Sequence, residues 1–251
     1  MLNRGSSQAD VAEHHKHTPR TVRRWLKRVA VQSLRIHDRF FRNLTLGNVQ
    51  LDELVGNIKG TASRHFIWTA IDAATKIIPV WHVGGRKLQD AQIVVHQLKS
   101  RLVTGHIPIF TSDHLRHYFS ALCSHFGEYR REPGRRNLVW RVSSKLLYAM
   151  LIKVRSGKRL RYTITLPMFG TRGQIRDALQ ALGLSGRIQT SYVERGNLTF
   201  RNLIAALHRR TWALPWSTAT LNHRLAWLLC FYHFCRPHMS LANSTIDGQL
   251  F

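Results

Sequence analysis

The chain has 251 residues, room for one large domain or for a catalytic domain with a small appendage, and 44% of it is hydrophobic, so it can bury a sizeable core. Its 38 Lys and Arg against 13 Asp and Glu give a formal net charge of +25, a field that condenses on polyanions and makes nucleic acid the expected partner. No uncharged apolar run reaches the roughly eighteen residues of a membrane span, and the N-terminus lacks the apolar stretch of a signal peptide, so a soluble, cytoplasmic protein without membrane contact is expected. Cys123, Cys230 and Cys235 form no C-x-x-C pair. A zinc ribbon and a disulfide framework are therefore unsupported, and buried thiols are the default.

Residues 8–30 read as two short helices broken at His17-Thr18-Pro19, with Thr18 as N-cap and Pro19 in the first helical position. The second carries Val22, Trp25, Leu26 and Val29 on one side and Arg20, Arg23, Arg24, Lys27 and Arg28 around the rest. A helix, a tight turn and a basic helix suggest a helix-turn-helix whose second helix enters a major groove. The same pattern fits an ordinary basic amphipathic helix. Only two helices are readable, so the motif is partial and the chain is expected to start inside it.

Residues 49–58, 65–71 and 76–83 read as strands of a β-meander, with Asp72-Ala73-Ala74-Thr75 as the second turn. Residues 90–103 follow a helical period, 107–111 form a short apolar strand ending at Ser112-Asp113, and 115–126 form another helix. This order specifies an α/β fold, a mixed sheet flanked by helices. Residues 129–161 break the rhythm with Arg130, Arg131, Arg135, Arg136 and Arg141, then Lys153, Arg155, Lys158, Arg159 and Arg161. They read as part of a basic insertion at about 129–186 with its own small elements; 146–154 fits a strand or a short helix equally, and 159–166 a strand. Its charge suits a solvated face and nucleic-acid backbone contact alike. Residues 187–190 read as a last short strand, 192–208 and 221–234 as helices, and 242–251 as weakly ordered.

Acidic residues are scarce enough to weigh singly. Asp90 sits in a first helical turn and Asp72 in a hairpin turn, both ordinary places for Asp. Asp52 lies within a strand and Asp113 directly after one, where a carboxylate is costly without a metal, a cation or water. On neighbouring strands the two would form an oxygen-rich site of the kind Mg²⁺ prefers; a solvated strand-end Asp is the plainer alternative. Glu194 shares a helix face with Asn197 and Arg201 and lies at the edge of the apolar face of Val193, Phe200, Leu203, Ile204 and Leu207. Taken alone it reads more readily as a Glu complementing a helix dipole. Phosphodiester chemistry uses two metal ions about 3.5–4 Å apart, and a third carboxylate from a separate element completes such a site. No Ser/His/Asp triad, P-loop or Rossmann glycine pattern competes for the chemistry, and His14-His15-x-His17 reads as a solvated helix end.

Five segments then resemble the DDE transposases of the insertion-sequence-one type, within the integrase-like superfamily of the ribonuclease-H fold. They are residues 49–54 (V-Q-L-D-E-L), 70–76 (A-I-D-A-A-T-K), 110–115 (F-T-S-D-H-L), 192–201 (Y-V-E-R-G-N-L-T-F-R) and 231–241 (F-Y-H-F-C-R-P-H-M-S-L), in the family's order. The last two carry most of the specificity in combination. The resemblance implies that Asp52, Asp113 and Glu194 are catalytic and bind two Mg²⁺ ions, replaceable by Mn²⁺, and that Asp72 is a non-catalytic turn residue. It places Arg201 against DNA and lets Asn197 orient Glu194 or contact backbone. It further implies residues 1–46 as a partial helix-turn-helix and linker, and 47–251 as the catalytic domain. The expected partners are double-stranded DNA (transposon ends and target), further copies in a dimer or larger synaptic complex, and a partner chain supplying an N-terminal DNA-binding module. The implied setting is a prokaryotic cytoplasm, at the nucleoid when bound. His114 stands where relatives often have Gly, and Gly196 where they often have a larger residue. The zinc ribbon and complete helix-turn-helix of many relatives are missing. Two other functions fit the same composition: a relative that only binds DNA, as a regulator or architectural protein, and a plain ribonuclease-H-type nuclease.

Overall fold

The computed structural model describes residues 1–2, 5–62, 64–157 and 159–237. The expected weak order at 242–251, and His238 to Leu241 of the C-terminal segment of resemblance, lie outside the described residues. Helix α1 (Gln8–His14) opens with a reciprocal Ser7–Asp10 capping box. Helix α2 (Pro19–Phe40) starts as expected, with the Thr18 hydroxyl accepting from the Thr21 amide at 3.2 Å and Pro19 in the first turn. It runs 22 residues, well past residue 28, because Leu26, Ala30, Ser33 and His37 continue its buried stripe.

Strands β1 (Asn48–Gly56), β2 (His65–Asp72) and β3 (Val80–Gly84) form the antiparallel meander. Helix α3 (Leu88–Arg101), strand β4 (Ile109–Asp113) and helix α4 (Arg116–His125) follow, then the hairpin β5 (Gly127–Arg130) and β6 (Val139–Val142). Next come β7 (Tyr148–Ser156), β8 (Arg159–Phe169), α5 (Arg172–Ala181), α6 (Ser191–Leu203), a short 3₁₀ turn at Ala205–Leu207 and α7 (Thr218–Phe234). The main sheet has the order β3-β2-β1-β4-β7-β8, with β1, β4 and β7 mutually parallel and the other pairs antiparallel. The mixed α/β class read from the sequence is therefore correct.

Strand alternation divides the core into two layers. Leu51, Trp68, Phe110 and Met150 face α3 and α4, meeting Val94, Leu98, Tyr118 and Leu122. Leu54, Ile67 and Ile71 face the other way, against Val193 and Phe200 of α6 and Leu225 and Leu228 of α7. On that second face Ile109 and Ala149 also pack on Ile175 and Leu179 of α5. Helix α2 lies along α7, with Phe40 against Phe234 (5.3 Å between rings) and His37 between Phe41 and Trp81. Burial drives the His37 imidazole down to about 4, so it packs as a neutral ring.

Several expectations change. The segment 129–186 is not an insertion with elements of its own: β7 lies inside the main sheet and β8 along its edge. Tyr148, Ala149, Met150 and Leu151 are buried, and this continuous apolar run pairs with β4 as a strand bounded on both faces must. Among the described residues, only the β5–β6 hairpin stands apart as a separate two-stranded sheet. Residues 187–190 form no strand, helix α6 stops at Leu203 rather than near 208, and α5 went unread. None of the three thiols is fully buried, and Cys235 is exposed. Among the described residues no helix is long and apolar enough to cross a membrane.

Candidate active site

Strands β1 and β4 run side by side in parallel, with Gln50 opposite Thr111 and Leu51 opposite Ser112. The next residue on each strand is Asp52 and Asp113, so equal register and equal side-chain parity put the two carboxylates together. Glu53 joins them: one oxygen from each of Asp52, Glu53 and Asp113 falls within 4.8 Å of the others. The condition on which the sequence paired Asp52 with Asp113, that their strands be neighbours, is met, while Glu53 was not among the expected site residues.

The surroundings of the three acids differ. Asp52 accepts 2.7 Å from the Asn197 amide, whose oxygen meets the Thr69 hydroxyl at 3.4 Å. Glu53 is gripped by the Arg86 guanidinium and receives the Tyr118 hydroxyl at 3.4 Å. The Asp113 Oδ1 is buried and has no hydrogen-bond partner. Burial, then the charge of Asp113, pushes Asp52 up to about 6. Burial and Asp113 also push Glu53 up to about 7, against the pull of Arg86. Asp113 is raised as well, chiefly by burial. Mutually repelling carboxyls with an unpartnered buried oxygen are short of positive charge, which a hard divalent cation with oxygen ligands would supply.

Glu194 lies outside this tight group. Its Oε1 pairs with the Lys153 ammonium of β7 and accepts from the Thr190 hydroxyl at 2.7 Å. Burial opposes its charge, but Lys153 and Thr190 prevail and hold its carboxyl below the usual range. It remains close enough for its charge to raise Asp52. Helix α6 therefore brings Glu194 beside the pair but leaves it bound to a lysine. Asp72 is an anchor, as expected: it is fully buried, accepting from the amides of Gly47, Asn48 and Thr75. Asp90 caps α3 and bonds His82 at 2.9 Å.

What aims α6 at the sheet is Gln50, 1% exposed, whose side-chain oxygen accepts from the amides of Tyr192 and Val193 at 3.0 and 3.1 Å. This bond satisfies two otherwise orphaned amides of the first turn. Gln50→Leu should cost about 2 kcal/mol by stranding them, read as a lower urea midpoint with an unchanged slope. An unchanged midpoint would show that water serves α6 equally well.

The basic residues expected to meet DNA are spread over several elements. Arg20, Arg23, Arg24, Lys27 and Arg28 are all exposed on α2, and the first four line a groove of about 500 Å³ with His223 of α7. Arg135 and Arg136 are exposed in the β5–β6 loop, where Arg135 stands 3.6 Å from Glu132. Arg201 is half-buried on the Glu194 side of α6. Asn197 is 7% exposed with both ends of its amide engaged, so it orients Asp52, neither Glu194 nor a ligand backbone. No protein-family model and no curated protein matches the chain.

Proposed function

We propose that the chain is a metal-dependent DNA transposase with a ribonuclease-H-like fold, cutting strands at the ends of an insertion sequence and joining the freed 3′-hydroxyl to target DNA. The single observation carrying this reading is the Asp52–Asp113 pair, adjacent on parallel β1 and β4, with its unpartnered buried oxygen. The strand order, an antiparallel meander extended by two parallel strands, is compatible with that fold. The net charge of +25 and the resemblance of residues 192–201 support DNA as the substrate.

Asp52, Asp113 and Glu53 or Glu194 would hold Mg²⁺, or Mn²⁺ in its place. Bound there, a divalent ion would supply Lewis-acid polarisation of a phosphoryl oxygen and a lowered pKa for an attacking water or hydroxyl. The chain's own residues do the rest. Asn197 fixes the Asp52 carboxylate, Arg86 fixes Glu53, and Arg201 and the exposed face of α2 neutralise phosphates. A second ion calls for Glu194 to leave Lys153. Joining two ends at once calls for at least two copies of the chain.

A DNA-binding relative without activity is the second reading, and the Lys153–Glu194 pair favours it, because the lysine already supplies the charge a metal would bring. Purified protein, Mg²⁺ and DNA carrying the flanks of its own coding sequence separate these readings. Nicking at defined positions followed by joining supports transposition. Binding that ignores Mg²⁺ and breaks no strand assigns the regulator, and degradation of RNA or unspecific DNA without joining assigns a nuclease.

A further inference from the structure

Helix α6 has a second functional face. At about 100° per residue, Tyr192, Arg195, Gly196 and Thr199 lie on the side opposite Glu194, Asn197 and Arg201. They line a cavity of about 590 Å³ closed by the β2–β3 turn and the end of α7, within the roughly 300–1,000 Å³ of small-ligand sites. Three cations reach it, Lys76, Arg195 and Arg236, and among the described residues no acidic side chain lines it. Lys76 is fixed: it sits at a φ of +63°, its ammonium bonds the Ala73 carbonyl, and it lies 3.6 Å from the centre of the Tyr192 ring. Tyr232 lines the same cavity as Arg195 and Arg236 and donates its hydroxyl to the Lys76 carbonyl at 3.3 Å; burial raises its phenol, and the charges of Arg236 and Arg195 pull it back. The floor is Gly196, where an added Cβ would meet, among the described residues, the Ile71 Cδ1 alone within 4 Å, at an ordinary 3.8 Å. Packing therefore does not require glycine there, although glycine in a helix costs about 1 kcal/mol relative to Ala.

We propose that this cleft is a phosphate-binding site that takes a backbone phosphate of a nucleic-acid strand, on the far side of α6 from the carboxylates. Two arginines lining one cavity suit a phosphate's paired oxygens, and the missing side chain at Gly196 leaves room for the strand to approach. The proposal rests on the reading of nucleic acid as substrate but not on the carboxylates or on metal. The test is anisotropy of labelled duplex and single-stranded DNA without divalent ions, against Arg195→Gln/Arg236→Gln, Gly196→Met and a charge-matched control, Lys145→Gln/Arg176→Gln. Both cleft variants should lose about tenfold in affinity, the arginine pair also flattening the salt dependence by about two phosphates, while the control loses under about threefold. Gly196→Met keeps every charge, so its loss separates the cleft from general electrostatics. Cleft variants that match the control would overturn the site. Shifts of the Gly196 amide on adding inorganic phosphate, with undiminished DNA affinity in the variants, would assign a free phosphate and overturn the strand assignment. A parent protein that binds no DNA would overturn the nucleic-acid reading itself.

Discussion

Asp113→Asn should lower Mg²⁺-dependent strand cleavage by at least about a thousandfold, some 4 kcal/mol at 1.36 kcal/mol per decade, while DNA affinity stays within about twofold. The amide keeps the shape of the side chain and removes the charge that a divalent ligand must provide. It also replaces one carboxylate oxygen by an NH2 that can donate to a neighbouring carboxylate, and it relieves the repulsion that raises Asp52 and Glu53. The metal-free variant is therefore expected to be at least as stable as the parent, an unusual sign for a polar substitution at a site this enclosed. Lost activity with raised thermal stability would mark a site strained for function. Full activity in Asp113→Asn would remove the carboxylate pair from the chemistry.

Stability should fall with rising pH through the titration of the cluster, and Mg²⁺ should reverse the fall. Asp52 at about 6 and Glu53 at about 7 both lie above their ordinary values of 3.8 and 4.5. The folded chain thus binds more protons than the unfolded chain across this range. The contribution is fully present below about pH 4 and is lost as pH rises past about 7; at about 1.4 kcal/mol per unit the two shifts together correspond to several kcal/mol. His37 acts oppositely, because its folded value near 4 is depressed: its contribution is present above about 6.5 and lost as pH falls towards 4. The cluster's share is accordingly the difference between the parent and Asp52→Asn/Glu53→Gln, which retains His37. Metal binding requires ionised carboxylates, so Mg²⁺ should raise the melting temperature strongly at pH 8 and hardly at pH 5. At a hundredfold excess over Kd the gain is about 2.7 kcal/mol, roughly 5–10 °C for a chain of this size. Equal Mg²⁺ effects in parent and double variant would locate the metal elsewhere.

Much of this site was legible because strands have period two. Asp52 lies within a strand and Asp113 follows an apolar one, so the two pair if their strands are neighbours, and β1 and β4 are. The same alternation hid Glu53. An adjacent residue points to the opposite face, towards Tyr118, yet one Glu53 oxygen still meets the pair at the end of β4. The Lys153–Glu194 pair was hidden because β7 was read within a basic insertion; its membership of the sheet depends on pairing with β4, a contact no local pattern encodes. Helix α5 was missed although Thr171 and Gln174 form a capping box, because Gly170, Gly173 and a basic, weakly apolar sequence masked its period. Gln50 gave a subtler signal: a polar residue amid Val49, Leu51 and Leu54 needs a partner, and its partner was the start of α6.

Anomalous scattering from crystals grown with Mn²⁺ and DNA tests the central claim most directly. The account predicts a metal peak about 2.1–2.2 Å from carboxylate oxygens of both Asp52 and Asp113, with Glu53 or Glu194 completing its ligands. Saturating Mn²⁺ with no peak at that pair, and Lys153 still bound to Glu194, would contradict it.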